Sequence, residues 1–147
     1  MSNELEQLAR RAVACKGWRW IPGMLANCDD YGVTSLRIVK VWENEFGNFA
    51  DAAVESVYGQ GPNIVHPEPG MLTLDLCDPL TAAGLLLLVR EAYNAPEACT
   101  GKIGPFWYVY PMADNGIAAT TPPLGMTWND RHTTELAALV AALEAAR

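Results

Sequence analysis

Apolar residues recur at helical spacing in three separated stretches of the chain and at strand spacing between them. In the first stretch Leu5, Leu8, Ala9 and Ala12 share one face and Arg10 and Arg11 point away, which predicts a helix over residues 3–16. Asn3 with Glu6 makes a capping-box-like start, and Gly17 is the expected left-handed stop. In the second stretch Asp78 before Pro79 is a strong helix start, since the carboxylate caps free amides and proline suits the first helical position. That helix is expected over residues 79–93, with Leu85, Leu88, Val89 and Ala92 on its main apolar face and Leu80, Gly84 and Leu87 nearly opposite. A third helix is expected to begin near Thr133, with Leu136, Leu139, Val140 and Leu143 inward and Ala138, Ala141, Ala142 and Ala145 outward.

Between the helices the period changes to two. "WRWIPGML", a turn at "NCDDYG" and "VTSLRIVKVW" predict a hairpin in which Leu36, Ile38 and Lys40 alternate with Arg37, Val39 and Val41. Residues 43–70 carry a weak signal: "DAAVESVYG" is ambiguous between helix and strand, and "GQGPN" and "HPEPG" are breaks. "GPFWYVYP" predicts a strand with Phe106, Tyr108 and Tyr110 on one side and Trp107 and Val109 on the other. "ADNG" then turns the chain into a less regular strand from Ile117 toward Trp128. The sum is an α+β domain, three helices packed on a mainly antiparallel sheet, in a single domain over residues 1–147.

Composition agrees with a packed core. A chain of 147 residues, half of them hydrophobic, with five Trp, five Tyr and three Phe, has enough apolar surface to fold without metal or disulfide. The N-terminus is polar and has no signal-peptide core, and the longest apolar run, Leu80–Val89, is about half of the ~20 residues a spanning helix needs. A cytoplasmic protein without a membrane partner is therefore expected. Cys15, Cys28, Cys77 and Cys99 are far apart and lack zinc-ligand spacing, so they are expected to be buried, reduced thiols.

The net charge of −7 argues against DNA or RNA as partner, because phosphate backbones need a basic footprint. Its distribution is uneven. Residues 1–40 hold six basic and four acidic residues, net +2, and residues 41–147 hold four basic and thirteen acidic ones, net −9. A local anion site in the N-terminal third is allowed, although a solvated helix face explains such charges as well.

No motif announces catalysis. His66 lies among turn-forming prolines and His132 where the last helix begins, neither beside a nucleophile or acid in sequence. Ser2, Ser35 and Ser56 lack a nucleophile elbow, no phosphate-binding loop is present, and "YGQGPN" reads as a turn. Asp75 and Asp78 have a spacing that meets a metal, but Asp78 is better used as a helix cap. No catalytic residue, metal or cofactor is assigned, and a binding protein is expected before an enzyme.

The aromatic and basic residues remain. In an extended segment Trp18 and Trp20 share a face with Arg19 opposite, and Phe106, Tyr108 and Tyr110 make a second such row. Both rows have two readings, as core or as the rim of a pocket. In the second reading a planar base stacks there while Arg19, Lys16 or Arg11 meets its phosphate. The candidate ligand-binding residues are thus Arg11, Lys16, Trp18, Arg19, Trp20, Tyr108 and Tyr110.

"LARRAVACKGWRWIPGM" (Leu8–Met24), "LDLCDPLTAAGLLLLVREAY" (Leu74–Tyr93) and the closing "LAALVAALEAA" resemble small proteins of tailed bacteriophages. Those proteins carry a G-W-R-W-M-P-G-M motif near the start and a D-P helix ending in L-V-R-E-A. The likeness covers about a third of the chain; Ile21 replaces the family's Met, and residues 28–71 are unmatched. The family has no established activity, so the resemblance transfers no site residue. It implies a setting, the cytoplasm of an infected bacterium. Many phage accessory proteins of this size counter host defence, some by sequestering nucleotide-derived immune signals. The leading expectation is a non-enzymatic accessory protein binding a small anionic, nucleotide-like ligand. The alternative is an inhibitor that binds a host protein through its apolar helix surfaces. The outward stripes of the second and third helices add the expectation of a homo-oligomer, a dimer or higher.

Overall fold

The structure, a computed structural model, describes residues 3–28, 33–44, 47–54, 64–65, 72–111 and 123–146. It has the α+β class, with three helices and antiparallel strand pairs among the described residues. The chain divides into two compact units, one built on Arg19–Gly84 and the other on Ser2–Trp18 with Leu85–Arg147.

The first unit holds a five-stranded sheet, β1 (Leu25–Cys28), β2 (Val33–Asn44), β3 (Gly47–Val54), β4 (Ile64–Val65) and β5 (Thr73–Leu74), in the order β4-β3-β2-β1-β5. The second strand of the expected hairpin is β2, but its partner is displaced. Strand β1 begins at Leu25, where the expected strand over residues 18–25 ends, and residues 18–24 form no strand. Leu25 stands opposite Arg37 and Ala26 opposite Leu36. The predicted turn lies largely outside the described residues. Of the ambiguous stretch over residues 51–59, residues 51–54 continue β3, so strand wins there, and residues 55–59 lie outside the described ones. Leu36 and Ile38 are buried as the alternation requires, but a bulge between Ile38 and Lys40 breaks the period. Lys40 therefore stands exposed, and Val39 beside it is exposed as well.

The tryptophan-rich stretch enters this sheet through a tight turn. Ile21-Pro22-Gly23-Met24 closes with the Met24 amide on the Ile21 carbonyl at 3.0 Å, and Gly23 takes φ +101°, the value a type II turn demands of its third residue. The Gly23 amide donates to the Ile38 carbonyl at 2.8 Å and the Ile38 amide to the Met24 carbonyl at 2.9 Å, stitching the turn to β2. Trp20, Ile21 and Met24 are buried in the same core as Ala26, Leu36 and Ile38.

Helix α2 (Pro79–Ala92) begins in this unit, capped by Asp78 as expected, whose Oδ2 accepts from the Thr81 amide at 3.2 Å. The same oxygen accepts from Arg37 Nη1 at 2.7 Å, and Arg37 Nη1 also reaches the Gly23 carbonyl at 3.0 Å. Thr81, fully buried, accepts from the Leu25 amide at 3.0 Å through its hydroxyl. One small polar network thus joins turn, β1, β2 and the helix start. Gly84 lies against Met24: a Cβ there would stand 2.5 Å from Met24 Cε. The expectation that Gly84 lies on an open apolar stripe is therefore corrected, whereas Leu80 and Leu87 are exposed as foreseen.

In the second unit α1 (Asn3–Val13) packs on α3 (Glu135–Ala145), and α3 covers the hairpin of β6 (Cys99–Ile103) and β7 (Phe106–Tyr110). Leu8, Ala9 and Ala12 are buried on the predicted face of α1. The helix ends at Val13, short of the expected Lys16, and Gly17 is not left-handed; Gly23, Gly104 and Gly125 are. On α2, Leu85, Leu88 and Val89 are buried, but Ala92 is exposed. Strand β7 forms as predicted, yet its partner precedes it. Gly104, at φ +59°, and Pro105 make a two-residue turn that pairs Ile103 with Phe106. Of the return strand expected from Ile117, residues 117–122 lie outside the described ones, and residues 123–130 form turns instead of a strand.

Helix α3 is capped by Thr134, whose hydroxyl accepts from the Ala137 amide at 3.1 Å. Its alanine face is turned outward only in part: Ala145 is exposed as expected and Ala141 half-buried, but Ala138 and Ala142 are buried with Leu139, Val140 and Leu143, because small side chains let neighbouring elements approach on more than one side. The described thiols are not buried as expected, with Cys77 exposed and Cys15 and Cys99 half-buried. Among the described residues no helix is long and apolar enough to cross a membrane.

Candidate functional site

The seven candidate residues fall on both units: Arg19 and Trp20 on the first, Arg11, Lys16, Trp18, Tyr108 and Tyr110 on the second. Trp20 is core, at 7% exposure, beside the Pro22–Gly23 turn, and Arg19 is half-buried. In the second unit Arg11 is engaged by Glu144, its Nε 3.2 Å from Oε2 and its Nη2 on Oε1. The carboxylate raises the Arg11 pKa through that hydrogen bond. Lys16 is exposed and Trp18 half-buried.

Tyr108 and Tyr110 are brought together, with ring centroids 6.4 Å apart, but as buried residues at 5% and 1% exposure. An open row of stacking rings along β7 is thereby corrected. The outer ring of this cluster is Trp128, which sequence reasoning placed in a strand and not in the site. Its indole lies 5.1 Å from Tyr108 and 6.1 Å from Tyr110, centroid to centroid, and remains 38% exposed. The Tyr108 hydroxyl donates to the Trp128 carbonyl at 3.2 Å. Beside it the Arg131 guanidinium sits 5.1 Å over the Phe106 ring, a cation–π contact. Arg131 is exposed and makes no ion pair among the described residues.

Local sequence builds this arrangement. The Leu124 amide donates to the Val109 carbonyl at 2.7 Å and the Trp107 amide to the His132 carbonyl at 2.8 Å, so the chain leaves the edge of β7 at one point and returns at the other. Between them the loop braces itself. Asp130 Oδ2 accepts from the Thr127 amide at 2.7 Å, the Asp130 amide donates to the Thr127 carbonyl at 3.1 Å, and the Asn129 amide donates to Thr127 Oγ1 at 3.3 Å. The signal that would have found it is "TWNDR": a Thr and an Asp three apart closing a turn around an aromatic residue, with an arginine next.

Tyr110 is held by a glycine. A Cβ on Gly101 would stand 2.8 Å from Tyr110 Cε2, so only glycine lets the ring lie on β6 there. Burial pushes the Tyr110 phenol pKa up, with smaller contributions from Tyr108 and Cys99, which keeps it protonated at neutral pH. Among the described residues its hydroxyl has no hydrogen-bond partner.

A concavity of the same unit, about 280 Å³, is lined by Leu87, Arg90, Glu91, Asn94 and Pro96. Arg90 already donates from Nε to the Ala98 carbonyl at 2.8 Å, and none of the sequence-derived candidates lines this cleft. Among the described residues no cluster of His, Cys, Asp and Glu has the form of a metal site. The chain matches no family model, no curated protein and no solved structure.

Proposed function

We propose that the protein binds a small planar anion of nucleotide type, without transforming it, at the aromatic cluster of its second unit. The observation that carries this reading is the pairing of a part-exposed indole, Trp128, with an adjacent guanidinium, Arg131, that has no carboxylate partner among the described residues. Stacking on a tryptophan holds a base whatever its sequence context, and a guanidinium fork suits a phosphate. The likeness to phage proteins makes a nucleotide-derived host signal the first ligand class to try, with sequestration in the infected cell as its purpose. Calorimetric titration with the four nucleoside monophosphates and with adenosine tests it. Binding of at least one monophosphate, tighter than adenosine and weakened about tenfold by Arg131→Ala, is the expected result, with the ligand recovered intact. Failure of the whole panel to bind refutes it.

A protein–protein role is favoured by a different observation, the exposure of Leu80 at 57% and Leu87 at 40%. Self-association keeps Leu80, Leu87 and Ala145 of its expected surface, Gly84, Ala138 and Ala142 being buried. Light scattering at micromolar concentration separates a dimer from a 16.0 kDa monomer.

A further inference from the structure

We infer that the segment from Gly125 to Arg131 is a lid, and that the Tyr110 hydroxyl beneath it hydrogen-bonds an acceptor atom on the ring of the bound ligand. This rests on the binding site proposed above and adds to it which residue reads the ligand and how the ligand enters.

The lid has fixed ends and a self-contained middle. Gly125, at φ +66°, is clamped: a Cβ there would meet the Tyr93 hydroxyl at 2.3 Å and Ala142 Cα at 3.1 Å. That hydroxyl in turn donates to the Ala142 carbonyl at 2.7 Å, fixing the clamp to α3. At the other end His132 is paired with Trp107. The hydrogen bonds of Thr127, Asn129 and Asp130 stay within the loop, so they survive if it swings. Its ties to the hairpin are the Tyr108 hydroxyl on the Trp128 carbonyl, the Trp128 ring on two tyrosines, and Arg131 on Phe106.

Beneath lies a donor without an acceptor among the described residues. A buried hydroxyl left unpaired is costly, and the great majority in folded proteins are satisfied. Tyr110, at 1% exposure, is an exception here. A stacked ring needs about 3.5 Å on each side. The 5.1 Å between the Tyr108 and Trp128 centroids admits no ring until the loop lifts, after which a flat ligand lies between indole and phenols. Protonated Tyr110 then donates to a ring nitrogen or carbonyl, and Arg131, carried on the same loop, follows the anionic group.

The test uses the full chain labelled with 5-fluorotryptophan, the Trp128 fluorine signal being assigned with Trp128→Phe. Adenosine, guanosine, cytidine and uridine monophosphates are the probes, titrated into the wild type and Tyr110→Phe. A monophosphate that binds is expected to shift the Trp128 signal, and Tyr110→Phe to bind it about tenfold more weakly while melting within a degree or two of the wild type. Equal binding by Tyr110→Phe overturns the role given to its hydroxyl and leaves the binding site standing, whereas binding with an unmoved Trp128 signal overturns the lid and the site at Trp128 together. A Tyr110→Phe melting temperature lowered by several degrees shows the hydroxyl already bonded and likewise overturns the role given to it. If no monophosphate binds the wild type, the binding site and the lid fall together.

Discussion

Asp78 performs two tasks with one oxygen, and replacing it separates them. Oδ2 caps α2 through the Thr81 amide at 3.2 Å and takes a hydrogen bond from Arg37 at 2.7 Å. Asp78→Asn keeps a good cap, so its cost isolates the charge: about 1–2 kcal/mol for a charge-assisted bond between side chains 25% and 14% exposed. Asp78→Ala removes the cap as well and leaves Arg37 without that partner, for a total of about 2–4 kcal/mol. Urea unfolding at neutral pH, followed by circular dichroism, reads both. The pH dependence supplies a second check. The Arg37 hydrogen bond, helped by its charge and by backbone amides and opposed by burial, holds the Asp78 carboxyl below its ordinary value. The folded state therefore binds this proton less readily than the unfolded one. The stabilisation is complete above about pH 4–5, the region of an unfolded aspartate, and is lost as pH falls toward the lower folded value. The gap between wild type and Asp78→Asn should close over that acidic range. An Asn variant as stable as the wild type at pH 7, or a gap unchanged down to pH 2, would refute the argument.

Thr81→Val removes the hydroxyl that accepts from the Leu25 amide and strands a backbone donor, so denaturant unfolding should show a loss of about 1–3 kcal/mol; Thr81→Ser should recover most of it. Trp20→Ala, in the core of the first unit, is expected to cost about 3–5 kcal/mol by the same measurement. Gly101→Ala forces the Tyr110 ring off β6, so the near-ultraviolet dichroism of the aromatic cluster should change even where the far-ultraviolet spectrum does not. Glu144→Ala, by contrast, breaks a pair 52% and 38% exposed and should shift stability by less than about 0.5 kcal/mol.

The helices were legible because each rule that predicts them acts within a few residues. Asp78 before Pro79 and the apolar spacing of Leu85, Leu88 and Val89 need no tertiary information. The hairpin of β6 and β7 was missed although Gly104-Pro105 sits between its strands, because the tyrosine-rich strand was paired forward with a segment that turns instead. The outward face assigned to α3 failed at Ala138 and Ala142 for a related reason. Alanine reads as neutral on a helical wheel, and whether it is buried depends on how closely other elements approach. Of the site, the two tyrosines are as the core reading of their row has them, buried, and the pocket-rim reading of that row is the one that fails. Trp128 escaped because its position over Tyr108 and Tyr110 depends on a chain reversal held by Asp130, which no periodicity reports.

Met24 and Gly84 lie 60 positions apart in the chain, and their contact makes the pair a matter of inheritance. A methyl group at position 84 would stand 2.5 Å from the end of the Met24 side chain, so the two positions share one volume. Evolution cannot alter them independently. Among descendants of a common ancestor, a lineage acquiring alanine or serine at 84 should show a shorter or differently branched residue at 24, and a lineage retaining methionine at 24 should keep glycine at 84. The same coupling makes the pair a filter for recognising distant kin, sharper than either residue taken alone.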